Sequence, residues 1–142
     1  MAKLTVLMGA PGAGKSTYAS RFANVVTNDG ARGHAGKAGE TLHDAYRQIN
    51  QLLAQGKDVV FDTTGANPNV RKAAVSIARK HAAQVDACVF DTPIDTCLAA
   101  QKGRSAPVAA ADVRRIHGAI GDSIRGLRSE GFGNVRVTRD RR

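Results

Sequence analysis

At 142 residues, 42% of them hydrophobic, the chain has the length for a single domain (residues 1–142) with a sizeable core, and too little for two. Aromatic residues make up only 4% and Trp is absent, so Ala, Val, Leu and Ile must build that core. No apolar run approaches bilayer-crossing length, and two cysteines and four scattered histidines offer neither a disulfide framework nor a metal-ligand pattern. Lys and Arg total 21 against 12 Asp and Glu, a net charge of +9 that points to an anionic partner larger than a nucleotide, nucleic acid first, although a solvated basic surface would also explain it.

In chain order, Met1-Ala2-Lys3 leads directly into an apolar strand, Lys3-Leu4-Thr5-Val6-Leu7-Met8, with no signal-type segment, which predicts an intracellular, cytoplasmic protein. Lys15-Ser16-Thr17-Tyr18-Ala19-Ser20-Arg21-Phe22 predicts the opening of a helix. Between strand and helix, Gly9-Ala10-Pro11-Gly12-Ala13-Gly14-Lys15-Ser16 fill the spacing of a phosphate-binding P-loop. A polyphosphate has to be met by several backbone N–H groups at once, and only residues without bulky side chains let the main chain curl that closely. The helix start, with Thr17, adds unpaired donors, Lys15 adds a full charge for the terminal phosphates, and the Ser16 hydroxyl can ligate Mg²⁺. An ordinary glycine-rich turn is the bland alternative. The bare spacing arises by chance in a chain of this size with a probability on the order of 1%, low enough that ATP or GTP binding is the expectation.

Val25-Val26-Thr27-Asn28-Asp29 predicts a second strand ending on a carboxylate, and residues 30–39 a cationic, glycine-rich loop. Thr41, with Asp44 three residues on, starts a helix whose stripe is Leu42, Ala45, Tyr46, Ile49, Leu52 and Leu53, with Gly56 at its end. Asp58-Val59-Val60-Phe61-Asp62 is a third strand closed by an acid and followed by Thr63. Asn67-Pro68 then caps a helix running to about Ala82. Gln84–Phe90 is the fourth strand, and Thr92-Pro93-Ile94-Asp95 repeats the cap chemistry before a short helix toward Gln101. Beyond Lys102–Pro107, Val113, Ile116, Ile120, Ile124 and Leu127 mark one longer helix stopped by Gly131, and Asn134–Thr138 a last strand before a basic tail.

Strands alternating with helices predict an α/β fold, a parallel sheet covered on both faces, with its crevice at the strands' C-terminal ends. The P-loop, Asp29 and Asp62 all reach that edge. Asp29 is the candidate general base for an acceptor hydroxyl, or a turn-former; Arg32 beside it could hold an adjacent phosphate. Asp62 could support Mg²⁺ or orient acceptor-site groups.

These residues resemble the phage-type polynucleotide 5′-hydroxyl kinases, P-loop kinases with an adenylate-kinase-like fold and a short lid. The match runs through Gly9 to Ser16, Asn28-Asp29 with Arg32, Phe61-Asp62-Thr63, Asn67-Pro68 with Arg71, Val89–Pro93, and Arg104 with Pro107. The resemblance implies Asp29 as general base, Arg32 on acceptor phosphate, and Asp62 and Thr63, with Arg71, at the acceptor. It places Arg104 in a lid over ATP, where it neutralises the transferring phosphoryl group. Two positions depart from the family: Ala100 stands where a second lid arginine is common, and Gly65 where an Asn is usual. A 3′-phosphatase motif is missing. The implied activity is ATP- and Mg²⁺-dependent transfer to the 5′-hydroxyl ends of RNA or DNA, in nucleic-acid repair, with no membrane association. The competing readings are a small-molecule kinase on the same scaffold and a nucleotide-gated nucleic-acid-binding module.

Overall fold

The computed structural model describes residues 2–28, 41–105 and 107–138. Asp29, Arg32 and the glycine-rich run 30–39 lie outside the described residues. Among the described residues five strands, β1 (Lys3–Gly9), β2 (Val25–Thr27), β3 (Val59–Asp62), β4 (Gln84–Phe90) and β5 (Val135–Thr138), form one parallel sheet in the order β2-β3-β1-β4-β5. The apolar strand runs carry this arrangement: from Val6 to Gly9 and through all of β3 every residue is buried, as a strand covered on both faces requires. Strand β1 is central, between β3 and β4: the chain passes from β1 to the edge at β2, returns inward to β3, and then crosses over β1 to β4 and β5. The crevice at the C-terminal edge opens beside that reversal.

Among the described residues six helices connect and cover the strands: α1 (Lys15–Ala19), α2 (Leu42–Ala54), α3 (Pro68–Lys80), α4 (Ile94–Gln101), α5 (Ala110–Ser123) and α6 (Leu127–Glu130). Helix α2 starts with the reciprocal capping pair expected of Thr41 and Asp44: the Thr41 hydroxyl accepts from the Asp44 N–H at 3.1 Å, and the Asp44 carboxylate accepts from the Thr41 N–H at 3.0 Å. At α3 the Asn67 side chain accepts from the Asn69 N–H, with Pro68 in the first turn. Leu4, Leu7, Met8, Ile49, Val59, Phe61, Val89, Val113 and Leu127 are almost wholly excluded from solvent and fill the layers between helices and sheet. Among the described residues no helix is long and apolar enough to cross a membrane.

Beyond shifts of a residue or two at strand ends, three helices differ from expectation. Helix α1 stops at Ala19, short of Phe22, which is left 43% exposed. The single helix expected through Leu127 is broken: α5 ends at Ser123, a 3₁₀ turn covers Ile124–Gly126, and α6 follows, with Gly131 at φ 116° closing it. Glycine at 121 and 126, poor helix formers both, weakens the run where it bends. Helix α4 lacks a side-chain cap; Pro93 occupies the cap position and Thr92 points elsewhere.

The short α6 is held through one ion pair. The Arg71 guanidinium, 5% exposed, donates from Nε to Glu130 Oε1 at 2.8 Å and from Nη2 to Glu130 Oε2 at 3.0 Å. A fork-on-fork pair of this kind has fixed geometry, and removing one partner strands the other charge. Glu130→Ala is expected to lower unfolding stability by about 2–3 kcal/mol, read as a lower urea midpoint with unchanged slope.

Candidate functional site

The P-loop curls as its composition demands. Gly12 has φ 88° and Gly14 φ 104°, conformations that side chains oppose, and a Cβ on Gly12 would lie 2.7 Å from the Cys97 carbonyl oxygen. Lys15 opens α1 and is 7% exposed, and its Nζ donates to the carbonyls of Gly9 at 2.7 Å and Ala10 at 3.4 Å. The ammonium is thereby held over the concave side of Gly9-Ala10-Pro11-Gly12-Ala13-Gly14, where a polyphosphate would take it up. Ser16 and Thr17, next on α1, are exposed.

Ser16 and Asp62 come together. Both line a cavity of about 320 Å³ at the C-terminal edge, with Ala19, Ser20, Val25 and Thr27 on its other walls. Sheet register sets Asp62 across from Thr27 on β2 and Leu7 on β1, and the carboxylate residue is 4% exposed. The Asp62 carbonyl accepts from the Asn28 N–H at 2.9 Å. That bond fixes the chain beside Asp62 one residue before Asp29. Among the described residues no group of three His, Cys, Asp or Glu side chains could cage a metal ion. One hydroxyl and one carboxylate do fit Mg²⁺, a hard cation that keeps several waters and takes phosphate oxygens beside one or two protein ligands.

Beyond β3 the chain turns under the P-loop. The Gly9 N–H donates to the Thr64 carbonyl at 3.0 Å, and the Thr63 N–H to the Leu7 carbonyl at 3.4 Å, so Thr63, 3% exposed, is locked to the first strand. Gly65, the departure from the resembled family, has φ 72°, and a Cβ there would lie 2.8 Å from Met8 Cβ. A side chain at 65 has no space. Arg71, expected at the acceptor, is turned inward: beside its pair with Glu130 it donates to the carbonyls of Gly65 at 2.6 Å and Ala66 at 3.4 Å. Its burial on α3 makes it a support of the Thr63–Ala66 loop. Arg104, on the turn after α4, is exposed, and its N–H donates to the Gln101 carbonyl at 3.2 Å.

One residue at the site went unread. Thr92, expected to cap α4, is 1% exposed and donates from Oγ1 to the Ala13 carbonyl at 2.9 Å, across 79 positions of sequence. Its own carbonyl is bonded by His117 Nε2 of α5 at 2.7 Å. Thr92 therefore ties the P-loop to the loop after β4 and to α5. Its place beside Asp91 and Pro93 in the motif after β4 was the available signal. Another cavity, about 380 Å³, lies toward the opposite strand ends among Lys3, Thr5, Tyr18, Phe22, Val60 and Cys88. It is not the phosphate site. There burial raises the Cys88 thiol pKa, partly offset by the Arg136 charge.

Two substitutions isolate these supports. Thr92→Val keeps shape but leaves the Ala13 carbonyl without its buried donor; stability should fall by about 1–2 kcal/mol, with weaker ATP binding by calorimetry. Gly65→Ala should cost about 2–4 kcal/mol through the left-handed conformation and the Met8 overlap, measured by thermal unfolding.

Solved structures share this fold. A chain of the Pnkp1/Rnl/Hen1 RNA repair complex superposes with a TM-score of 0.61 at 20% identity, over 86% of this chain and 45% of that one. The present chain thus spans less than half the length of that relative. A de novo designed P-loop protein, PLOOP2X3_50, superposes with a TM-score of 0.55 at 16% identity, over 99% of this chain and 84% of the design. No curated protein matches the chain. The AAA domain model matches residues 4–120, from β1 into α5. On that match, covering most of its length, the chain belongs to the AAA domain family and is a P-loop kinase-like domain.

Proposed function

We propose that the chain is a polynucleotide kinase, transferring the γ-phosphoryl group of ATP to the 5′-hydroxyl end of RNA or DNA. The observation that carries the reading is the shared cavity of Ser16 and Asp62 beside the P-loop, with the chain leaving β2 at Asn28 bonded to Asp62. That arrangement supports a donor nucleotide on the loop and an acceptor arriving next to it, where the sequence supplies Asp29 and Arg32. The likeness of fold to a chain from an RNA repair complex and the net charge of +9 support a nucleic-acid acceptor.

In this mechanism the loop backbone and Lys15 hold the β- and γ-phosphates, and Ser16 and Asp62 would hold Mg²⁺, which neutralises charge on the phosphates when bound. Arg32 grips phosphate on the acceptor strand. The 5′-hydroxyl oxygen bonds to the γ-phosphorus as the bond from that phosphorus to the β,γ-bridging oxygen breaks. ADP leaves, and Asp29 takes the hydroxyl proton. Arg104 meets the charge on the transferring group. Thr63 lies beside the acceptor, while Arg71 acts from behind through the loop it supports.

The test offers γ-labelled ATP and Mg²⁺ with 5′-hydroxyl RNA and DNA oligonucleotides, their 5′-phosphorylated counterparts and small alcohols. Label on the 5′-hydroxyl oligonucleotides alone is expected, with acceptor KM rising steeply with salt. Label on a small alcohol alone would move the protein to the small-molecule kinases, and binding without transfer would make it a nucleotide-gated module. Asp29→Asn should lower kcat by roughly 10²–10⁴-fold with ATP affinity little changed, and Lys15→Ala should abolish transfer. Wild-type rates in Asp29→Asn would remove Asp29 as base.

A further inference from the structure

Gln101 ends α4 with only 5% of its surface exposed. Its Oε1 accepts from the Val108 N–H at 3.0 Å, just before α5. This bond settles the orientation of the amide, because the reverse would set one N–H₂ group against another N–H. The amide nitrogen Nε2 consequently points the other way, buried and, among the described residues, without a hydrogen-bond partner. What it faces is the P-loop: a Cβ on Gly12 would stand 3.1 Å from Gln101 Nε2 and 2.9 Å from Ala100 Cβ. Folded proteins leave few buried donors unpaired, because water, the alternative partner, has been given up for nothing. Here the unpaired donor lies against the loop that a polyphosphate would fill.

We propose that Gln101 is a positioning residue that senses the filled P-loop: its N–H₂ donates to an oxygen brought within reach when the nucleotide seats, while its Oε1 keeps hold of Val108. Arg104 lies between these two anchor points in sequence, so the same side chain links nucleotide affinity to the placement of Arg104. The short Ala100 side chain, where the resembled family commonly has arginine, leaves Gln101 room to approach Gly12. The inference rests on the donor-nucleotide half of the function proposed above and is independent of the acceptor.

The test titrates ADP with Mg²⁺ into wild type, Gln101→Met and Gln101→Glu by calorimetry, and follows trypsin cleavage after Lys102 and Arg104 with and without saturating ADP. In wild type, ADP should slow both cleavages. Gln101→Met, close in volume, loses the donor and also the acceptor for the Val108 N–H; it should bind ADP roughly tenfold more weakly and show little slowing at saturation, with a nucleotide-free unfolding midpoint below wild type because a buried N–H is left unpaired. Gln101→Glu keeps an oxygen for Val108 and loses the N–H₂, and should fail in the same two ways. Wild-type affinity with full protection in Gln101→Met overturns the proposal; if that variant does not fold, the same result in Gln101→Glu overturns it. A wild type that binds no ADP would defeat the donor reading itself. A different acceptor in the transfer assay would alter the proposed function and leave these titrations unmoved.

Discussion

Everything at this site depends on the main chain of residues 9–14 being allowed to come close to other things. A loop that wraps a polyphosphate with its own N–H groups has no side chains with which to brace itself, so its bracing must come from outside. The structure shows where that comes from. Thr92 takes the Ala13 carbonyl, Thr64 takes the Gly9 N–H, and the end of α4 packs flush against Gly12. Each brace sits on a loop at a strand's C-terminal end or on a helix that follows one, so the parallel sheet is the frame that brings them together. The positive φ of Gly12 and Gly14 is the local cost of this geometry, and glycine keeps it small.

The same logic extends one layer outward. The Thr63–Ala66 loop that supports Gly9 is itself held by Arg71, whose guanidinium is in turn held by Glu130 on α6. A buried cation would be unfavourable alone. Paired fork to fork and satisfied by two carbonyls, it becomes a rigid strut. Helix α6, only four residues long, has little stability of its own and is fixed by that strut and by buried Leu127. The chain of support therefore runs from a short helix near the C-terminal strand through α3 to the first glycine of the phosphate loop.

How much of this was legible depended on range. The three inner strands were readable because each carries a continuous buried run: β4 is bounded as expected at Gln84 and Phe90, and β1 and β3 differ by a residue at one end. The cap of α2 was readable because Thr41 and Asp44 act on one another within one turn. Both the P-loop and the acid at the end of β3 announce themselves by position after an apolar strand. What sequence could not show was the long-range pairing. Thr92 has the composition of a helix cap, and nothing nearby reveals that its hydroxyl is spent on Ala13. Arg71 reads as an acceptor-site residue until α6 brings Glu130 beside it, 59 positions away. The bend at Gly126 was hidden by an apolar stripe that continues through it, since Ile124 and Leu127 still face inward enough to keep the period.

Charge is a property of composition more than of any local pattern. Among the described residues the ion pairs are Arg47 with Asp44, Arg71 with Glu130, and Arg115 with Asp112. Two of these are exposed pairs within a helix turn, worth little in water. Lys72, Arg79 and Lys80 on α3, and Arg114 on α5, are exposed as well, so the positive excess is carried outward and is not consumed in folding. A surface of this kind does nothing for the core, and its self-repulsion opposes compactness.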